Sequence, residues 1–312
     1  MSASSPSLLA AARDAAAHQH YPQGALYMVA TPIGNLADIG LRALQVLSLV
    51  DTVACEDTRH TAALLQGYGL HKPLLALHEH NEAEAAQTVV QRLQAGQRVA
   101  YVSDAGTPGV SDPGARLVAA VNAAGLRSVP IPGASSITAL LSVSGTVAGM
   151  GGWDGRFVFA GFLASKAAER QREVQLMGAD ARACVLLEAP HRIEALAKDL
   201  GQLGERMLTV GRELTKQFEE VAHLKAQDFT AWLQANANRT RGEFVLLVHP
   251  QPATVEAEGS VDAAALRTLD VLLKELPLKT AVKLCAEITG QPRNALYDAA
   301  LARRQDGAGS DD

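Results

Sequence analysis

VAYVSDAGTPGVSDPG, residues 99–114, joins an apolar run to two breaker clusters and then to a helical pattern. Val99, Ala100, Tyr101 and Val102 read as a buried strand that stops at Ser103 and Asp104. Gly106-Thr107-Pro108 and Asp112-Pro113-Gly114 break the chain, and Leu117, Val118 and Val121 then recur at helical spacing. A strand that ends in a Gly/Pro loop feeding a helix is one step of an α/β sheet, whose ligands sit beyond the carboxyl ends of the strands. Gly106 permits close approach to the backbone, and free amides at a helix start can bind polar groups.

Two neighbours repeat the pattern. Residues 26–30 form a short strand before Thr31-Pro32-Ile33-Gly34-Asn35-Leu36, and 128–131 precede Pro132-Gly133-Ala134-Ser135-Ser136. Three such loops in one half of a chain point to one composite pocket. Around them, strands are expected at 26–30, 52–55, 74–77, 98–103 and 127–131, with helices near 40–49, 59–67, 82–95, 114–124 and 135–143. That alternation predicts an N-terminal α/β domain over 25–148 with a mainly parallel sheet. A Gly-rich break at 149–155 reads as a linker. Over 153–250 strands outnumber helices, which predicts a second, α+β domain with a mixed sheet. The stretch 250–260 is again linker-like, and 262–304 holds three short helical patterns with a Gly-containing turn, as in a helix-turn-helix. Residues 1–24 are Ala-rich, lack the apolar core of a signal peptide, and are expected to be a disordered extension.

Bulk numbers narrow the function. The 312 residues are 48% hydrophobic and carry a net charge of −5, so nucleic acid could be held only through a local patch or inside a larger assembly. Cys55, Cys184 and Cys285 lie far apart without metal-ligand spacing, which suits a reducing cytoplasm. No run reaches membrane-spanning length, so no membrane partner is expected. The absence of G-x-G-x-x-G and of G-x-x-x-x-G-K-[ST] argues against an ordinary dinucleotide site and a P-loop. His78 and His80 would share a face if they lay on one strand, but no third ligand accompanies them and no metal is expected.

The blocks ATPIGNLADI (30–39), CEDTRHT (55–61), LHEHNE (77–82), VSDAGTPGVSDPG (102–114) and GFLASK (161–166), with EAPHR (188–192), RELTK (212–216), RGEFVLLV (241–248), LPLK (276–279) and NALY (294–297), resemble the ribosomal RNA small subunit methyltransferase I family. The chain departs from the family pattern at Ala30 and Ala164, where proline is usual, at Leu187, often aromatic, and in its longer 149–155 stretch. The resemblance implies a tetrapyrrole-methylase-like fold, S-adenosylmethionine as methyl donor, a homodimer, and 2′-O-methylation of a cytidine in 16S rRNA of the small ribosomal subunit. On that footing Pro32, Gly34, Asp104, Ala105, Gly106, Thr107, Pro108, Pro132, Gly133, Ala134 and Ser135 are the expected donor cradle. Asp104 could equally be a helix or turn cap.

A ribose hydroxyl is a poor nucleophile, so a base or a placed cation should assist it. Charged residues at expected strand ends and helix starts are the candidates: Glu56, Asp57, Arg59, His60, Lys166, Glu188, His191, Arg192, Arg212, Glu213 and Lys216, with Arg59, Lys166 and Arg192 assigned to RNA phosphates. Taken singly, each of these could be an ordinary surface ion pair. Lys279, Lys283, Arg293, Arg303 and Arg304 would give the C-terminal helices a basic face, suited to phosphate or simply to solvent. A small tetrapyrrole acceptor, or a non-enzymatic nucleic-acid-binding protein, are the competing readings. A net-acidic chain that must dock on RNA is expected to prefer an assembled subunit to naked 16S rRNA.

Overall fold

The computed structural model describes residues 5–78, 80–145, 156–250, 261 and 263–307. Its first sheet is built from β1 (Ala25–Val29), β2 (Thr52–Cys55), β3 (Leu74–Ala76), β4 (Val99–Val102) and β5 (Arg127–Ile131), all parallel, in the order β3-β2-β4-β1-β5. Helices α2 (Leu41–Leu49), α3 (Thr58–Gly67), α4 (Glu82–Gln94), α5 (Gly114–Ala123) and α6 (Ser136–Val143) connect or follow these strands. Side chains alternate across a strand, and β1 shows the result. Tyr27 and Val29 pack with Leu44 and Leu47 of α2 on one face, while Leu26 packs with Val89, Leu93 and Leu117 of α4 and α5 on the other. Burial on both faces is what a parallel sheet requires. From β1 the chain leaves to one side toward β2, and from β4 it passes β1 to reach β5. The loops after β1, β4 and β5 therefore lie side by side at a topological switch point.

The N-terminal stretch is not a disordered extension. Residues Ser5–Ala16 form α1, which packs on α2. Ala12 and Ala16 are buried, and Leu8 and Leu9 press on the same core as Tyr27. The small side chains are the reason: alanines four apart let two helices approach closely, so a stripe with little apolar bulk still finds a seat.

The second sheet comprises β6 (Phe157–Phe162), β7 (Ala183–Glu188), β8 (Met207–Arg212), β9 (Glu220–Lys225) and β10 (Phe244–Val248), ordered β6-β7-β10-β8-β9. Only β6 and β7 run parallel; the other pairs are antiparallel, which makes the mixed sheet expected from the strand-rich sequence. Helices α7 (Ala167–Ala179), α8 (Ile193–Leu200) and α9 (Phe229–Gln234) accompany it. On α8, Ile193, Leu196, Ala197 and Leu200 are buried at i, i+3, i+4 and i+7, and they pack with Leu186, Val210 and Leu246. The opposite face is covered by α6, whose Ile137 and Leu140 pack with Val185, Val245 and Leu247.

The boundary expected at 149–155, which lies outside the described residues, thus separates two sheets without separating two bodies. Residues 5–145 and 156–250 cluster as one compact unit because α6 leaves the first sheet and supplies core to the second. The C-terminal helices form a unit of their own: α10 (Ala263–Glu275), α11 (Leu278–Thr289) and α12 (Arg293–Gly307), around Leu269, Leu278, Val282, Cys285 and Leu296. Gly290, at φ 70°, makes the left-handed turn between α11 and α12. The linker expected at 250–260 lies outside the described residues apart from Pro250. No helix among the described residues is long and apolar enough to cross a membrane.

Candidate active site

Backbone pairing draws the three loops together. Thr31 and Gly106 form an antiparallel bridge, with Thr31 N–H donating to Gly106 O at 2.9 Å and Gly106 N–H to Thr31 O at 3.1 Å. The Thr107 hydroxyl donates to Ala134 O at 3.0 Å and so ties the loop after β4 to the loop after β5. Gly106 sits at φ 81°, a left-handed conformation costly for any other residue, and a Cβ there would lie 3.1 Å from Ile33 Cγ2. Asp112 organises the rest of the β4–α5 loop by accepting from Gly109 N, Gly114 N and the Tyr101 hydroxyl at 2.7, 2.8 and 3.0 Å. Burial, then the charge of Asp112, pushes the Tyr101 phenol far above its ordinary pKa, so it stays a donor.

Around this seam lie three adjoining compartments, each bordered by Ile33 and Ala105. The first, about 160 Å³, is lined by Glu56, Ser103, Asp104, Gly106, Thr107, Asp112, Ser135 and Ser136 among others. The second, about 390 Å³, adds Pro32, Gly34, His60, Lys216 and Glu243. The third, about 460 Å³, reaches the second sheet at Phe162, Leu187, Glu188, Pro190, Leu214 and Val245. Three carboxylates on the first compartment favour a cationic ligand there.

Of the expected cradle, Pro32, Gly34, Asp104, Ala105, Gly106, Thr107 and Ser135 line these compartments, whereas Pro108, Pro132, Gly133 and Ala134 do not. The last group serves the framework. A Cβ on Gly133 would strike Ala30 Cβ at 2.9 Å, and Ala134 spends its carbonyl on Thr107. Gly34 also has a different reason from the one expected: at φ 152° it lies under the Lys216 side chain, whose Cγ a Cβ would meet at 2.4 Å. Asp104 is not a helix cap. It accepts from Asp57 N at 3.2 Å, while Asp57 caps α3 through Arg59 N and His60 N.

The charged candidates divide sharply. Arg59 and Lys166 are exposed and held only by near neighbours, Asp57 and Glu169. Arg192 is no surface cation: it bonds Ser165 Oγ and Leu163 O and sits 3.1 Å from Glu188 Oε1, bracing the end of β6 against the end of β7. An assignment to RNA phosphate does not suit a guanidinium already spent in this way. Glu56 borders the first compartment. Glu188 is 2% exposed.

Glu213 is in the left-handed region at φ 52°, as is Thr215 at φ 67°, a strained turn of the kind that collects at functional sites. Its carboxylate accepts from Lys216 Nζ at 2.8 Å and Glu243 N at 2.9 Å. Burial works to raise the Glu213 carboxyl, but the Lys216 and Glu243 hydrogen bonds and the nearby cations outweigh it and leave the group below its ordinary pKa. Burial likewise works against the Lys216 ammonium, and the hydrogen bonds and charges of Glu213 and Glu243 outweigh it and raise that pKa.

Ile33, Ser103, Asp112, Ser136 and Glu243 were not among the expected site residues. All but Ser136 fall inside motif blocks, and Ser136 directly follows the Pro-Gly loop, so the signal was present but spread over charged and plain side chains alike. His78 and His80 lie beyond the end of β3, so the shared strand face assumed for them does not exist. Among the described residues no group of three or more His, Cys, Asp or Glu could hold a metal ion.

Residues 25–230 match the Tetrapyrrole (Corrin/Porphyrin) Methylases family, and residues 259–304 match the RsmI C-terminal HTH domain. Among curated proteins the chain is 47% identical over 283 residues to ribosomal RNA small subunit methyltransferase I of Pseudomonas aeruginosa, covering 90% of this chain and 98% of that protein. The protein of the same description from Escherichia coli O157:H7 is 44% identical over 284 residues, with 90% and 96% covered. Among solved structures, the uroporphyrin-III-C-methyltransferase from Thermus thermophilus superposes with a TM-score of 0.51 at 21% identity, over 73% of this chain and 94% of that one. The methyltransferase CobJ gives 0.52 at 17%, over 72% and 92%. The two superpositions show a shared fold.

Proposed function

The chain belongs to the ribosomal RNA small subunit methyltransferase I family, and from that premise we infer that it methylates the ribose 2′-oxygen of a cytidine in 16S rRNA, with S-adenosylmethionine as donor. The observation that carries this reading is the seam of three strand-end loops opening toward the second sheet. It fits the donor on its own terms. A side chain on Gly106 would crowd Ile33 Cγ2 at 3.1 Å from a left-handed backbone, and Glu56, Asp104 and Asp112 favour positive charge. Asp104, Ala105, Gly106, Thr107 and Ser135 would hold it.

S-adenosylmethionine supplies a methyl group already activated on a sulfonium. The chain's own task is therefore orientation and exclusion of water. Gly106 and Thr107 fix the floor through bonds to the neighbouring loops, and Asp104, itself held by Asp57 N–H, aims a carboxylate oxygen. Lys216, gripped by Glu213 and Glu243, closes the second compartment over Gly34. None of the carboxylates so held is placed as a general base by these contacts, and Glu213 in particular is a poor proton acceptor.

The RNA is met in part by the C-terminal unit, whose Lys279, Lys283 and Arg293 are exposed on α11 and α12. An acidic chain with a local cationic module gains from a target held in shape, so assembled subunits should be the substrate and naked 16S rRNA a poor one. Exposed Phe157 and Phe162 on edge strand β6, and Phe218 beside β9, support self-association as a homodimer. Three buried free cysteines suit the reducing cytoplasm. The test is transfer of radiolabelled methyl from S-adenosylmethionine to 30S subunits that lack the modification, followed by nucleoside analysis. A 2′-O-methylcytidine product is expected; incorporation into any other nucleoside, or none, overturns the assignment.

A further inference from the structure

The held carboxylates leave the acceptor hydroxyl without a base, and helix α3 offers one. His60, Ala63, Leu64 and Gly67 recur on it at i, i+3, i+4 and i+7, which sets them on one face. The first three line the second compartment, and a Cβ on Gly67 would lie 3.7 Å from Leu36 Cδ1 of the loop after β1. That face therefore looks across to the loop, with an exposed His60 at its N-terminal end. Both ends of α3 are tied to the donor loops. Tyr68, just past the last turn, donates from its hydroxyl to Leu36 O at 2.7 Å. Asp57, the N-cap, donates its N–H to Asp104 at 3.2 Å. The Asp57 carboxylate also accepts the His60 backbone N–H at 3.3 Å, and among the described residues no hydrogen bond takes up the His60 imidazole.

The first and second compartments share Ile33, Asp104 and Ala105, so a donor held in the first has the second beside it. The other ionisable groups on the second compartment are committed. Asp104 accepts from Asp57 N–H, and Lys216 stays a cation between Glu213 and Glu243. Imidazole is the side chain suited to taking a proton near neutral pH. We propose that His60 is the general base of the methyl transfer and takes the proton of the acceptor ribose 2′-hydroxyl in the second compartment. This rests on the rRNA-methylation reading and adds to it the group that activates the nucleophile. The 2′-oxygen forms the new C–O bond as the C–S bond breaks, and the electron pair of that bond stays on sulfur. The hydroxyl proton passes to the unprotonated imidazole nitrogen, and the exposed ring returns it to water.

His60→Ala is the deciding variant. The side chain is exposed and the backbone bond to Asp57 survives, so the fold is kept. On 30S subunits that lack the modification, kcat should fall by about a hundredfold or more. KM for the subunits, and donor affinity by calorimetry, should not change. Added imidazole should restore part of the lost rate in H60A and leave the wild-type enzyme unchanged. The wild-type rate should fall on acidification as the ring takes a proton, and that limb should be missing from H60A. Asp57 and Arg59 beside His60, with Asp104, Lys216 and Glu243 facing it, are present in both proteins. A further readout needs no turnover. Diethyl pyrocarbonate acylates accessible imidazoles, and peptide mass spectrometry locates the label. His60 should be labelled in the free protein and protected by unmodified 30S subunits.

A smaller loss in kcat, or a loss that falls on KM alone, would make His60 a contact rather than a base, and overturns the proposal. So does a loss that imidazole does not restore, or an acid limb that persists in H60A. Equal labelling of His60 with and without subunits refutes it independently of the variant. Inactivity of the wild-type enzyme on the unmodified subunits refutes the rRNA reading itself, and the proposal with it; that failure shows without any substitution.

Discussion

Shortening Leu140 to alanine should weaken both sheets together. Leu140 is fully buried on α6, between its own lobe and the inner face of β7 and β10. Loss of a leucine from such a core costs about 3 kcal/mol, within an observed range of about 2–5. At about 2–4 °C per kcal/mol for a body of this order, the melting temperature should fall by about 6–12 °C. Gly211 offers the reciprocal change. A Cβ there would lie 2.8 Å from Leu140 Cδ1, 3.1 Å from Val245 Cγ1 and 3.2 Å from Leu214 Cδ2, so Gly211→Ala overpacks the same spot and should cost about 1–3 kcal/mol. In the double variant the new methyl enters the space vacated by Leu140, and part of each loss is cancelled. The coupling should reach about 1–2 kcal/mol, as for residues in direct contact. Urea melts followed by circular dichroism, with calorimetry for the midpoints, measure all four corners of the cycle. Strict additivity, a coupling below about 0.5 kcal/mol, would refute the view that α6 is clamped against β8 at this point.

The Glu213–Lys216 clamp carries a pH signature. Glu213, held below its ordinary value, contributes stability that is present above pH 4.5 and is lost as pH falls through its folded value. Lys216, raised, contributes stability that is present below pH 10.5 and is lost as pH climbs through its own folded value. Lys216→Met keeps the stem over Gly34 but removes the charge; it should cost about 1 kcal/mol at neutral pH and flatten the acid limb of a stability-against-pH curve, and an unchanged limb would exclude the clamp. His249, whose pKa burial and then His223 and Arg206 press down to about 4, shares the Thr209 hydroxyl with His223 at 2.7 and 2.9 Å. Between its ordinary value of 6.5 and about 4 the unfolded chain takes a proton that the folded one refuses, so stability should decline on acidification, and less steeply in His249→Gln. Removing residues 262–312 should leave donor binding intact by calorimetry while methylation of 30S subunits falls at least about tenfold; unchanged methylation would end the RNA-docking role of α11 and α12.

Most of the first sheet could be read in advance because each strand is a short apolar run ended by Gly, Pro or Asp, and each helix repeats at the right spacing. The N-terminal helix escaped because its buried stripe is mainly alanine, which contributes shape rather than hydrophobic bulk. The relation between the sheets escaped for a different reason: Leu140 looks like any helical leucine, and nothing local says that its partner is Val245 rather than a residue of its own sheet. In the site, Gly106 and Thr107 were legible from their loop. Gly133 and Gly34 were legible as glycines but not for the right neighbour, since Ala30 and Lys216 press on them from distant parts of the chain.

The position of α6 also sets an order on synthesis. The first sheet can close as soon as β5 has emerged, since β1 needs only β4 and β5 beside it. The apolar face of α6 must then wait for β10, which begins roughly 100 residues after the helix ends. At ~5–20 residues per second that is about 5–20 s on the ribosome with Ile137 and Leu140 uncovered. During that interval the nascent chain carries a finished lobe with an oily flank, the surface on which chaperones and misfolded neighbours compete.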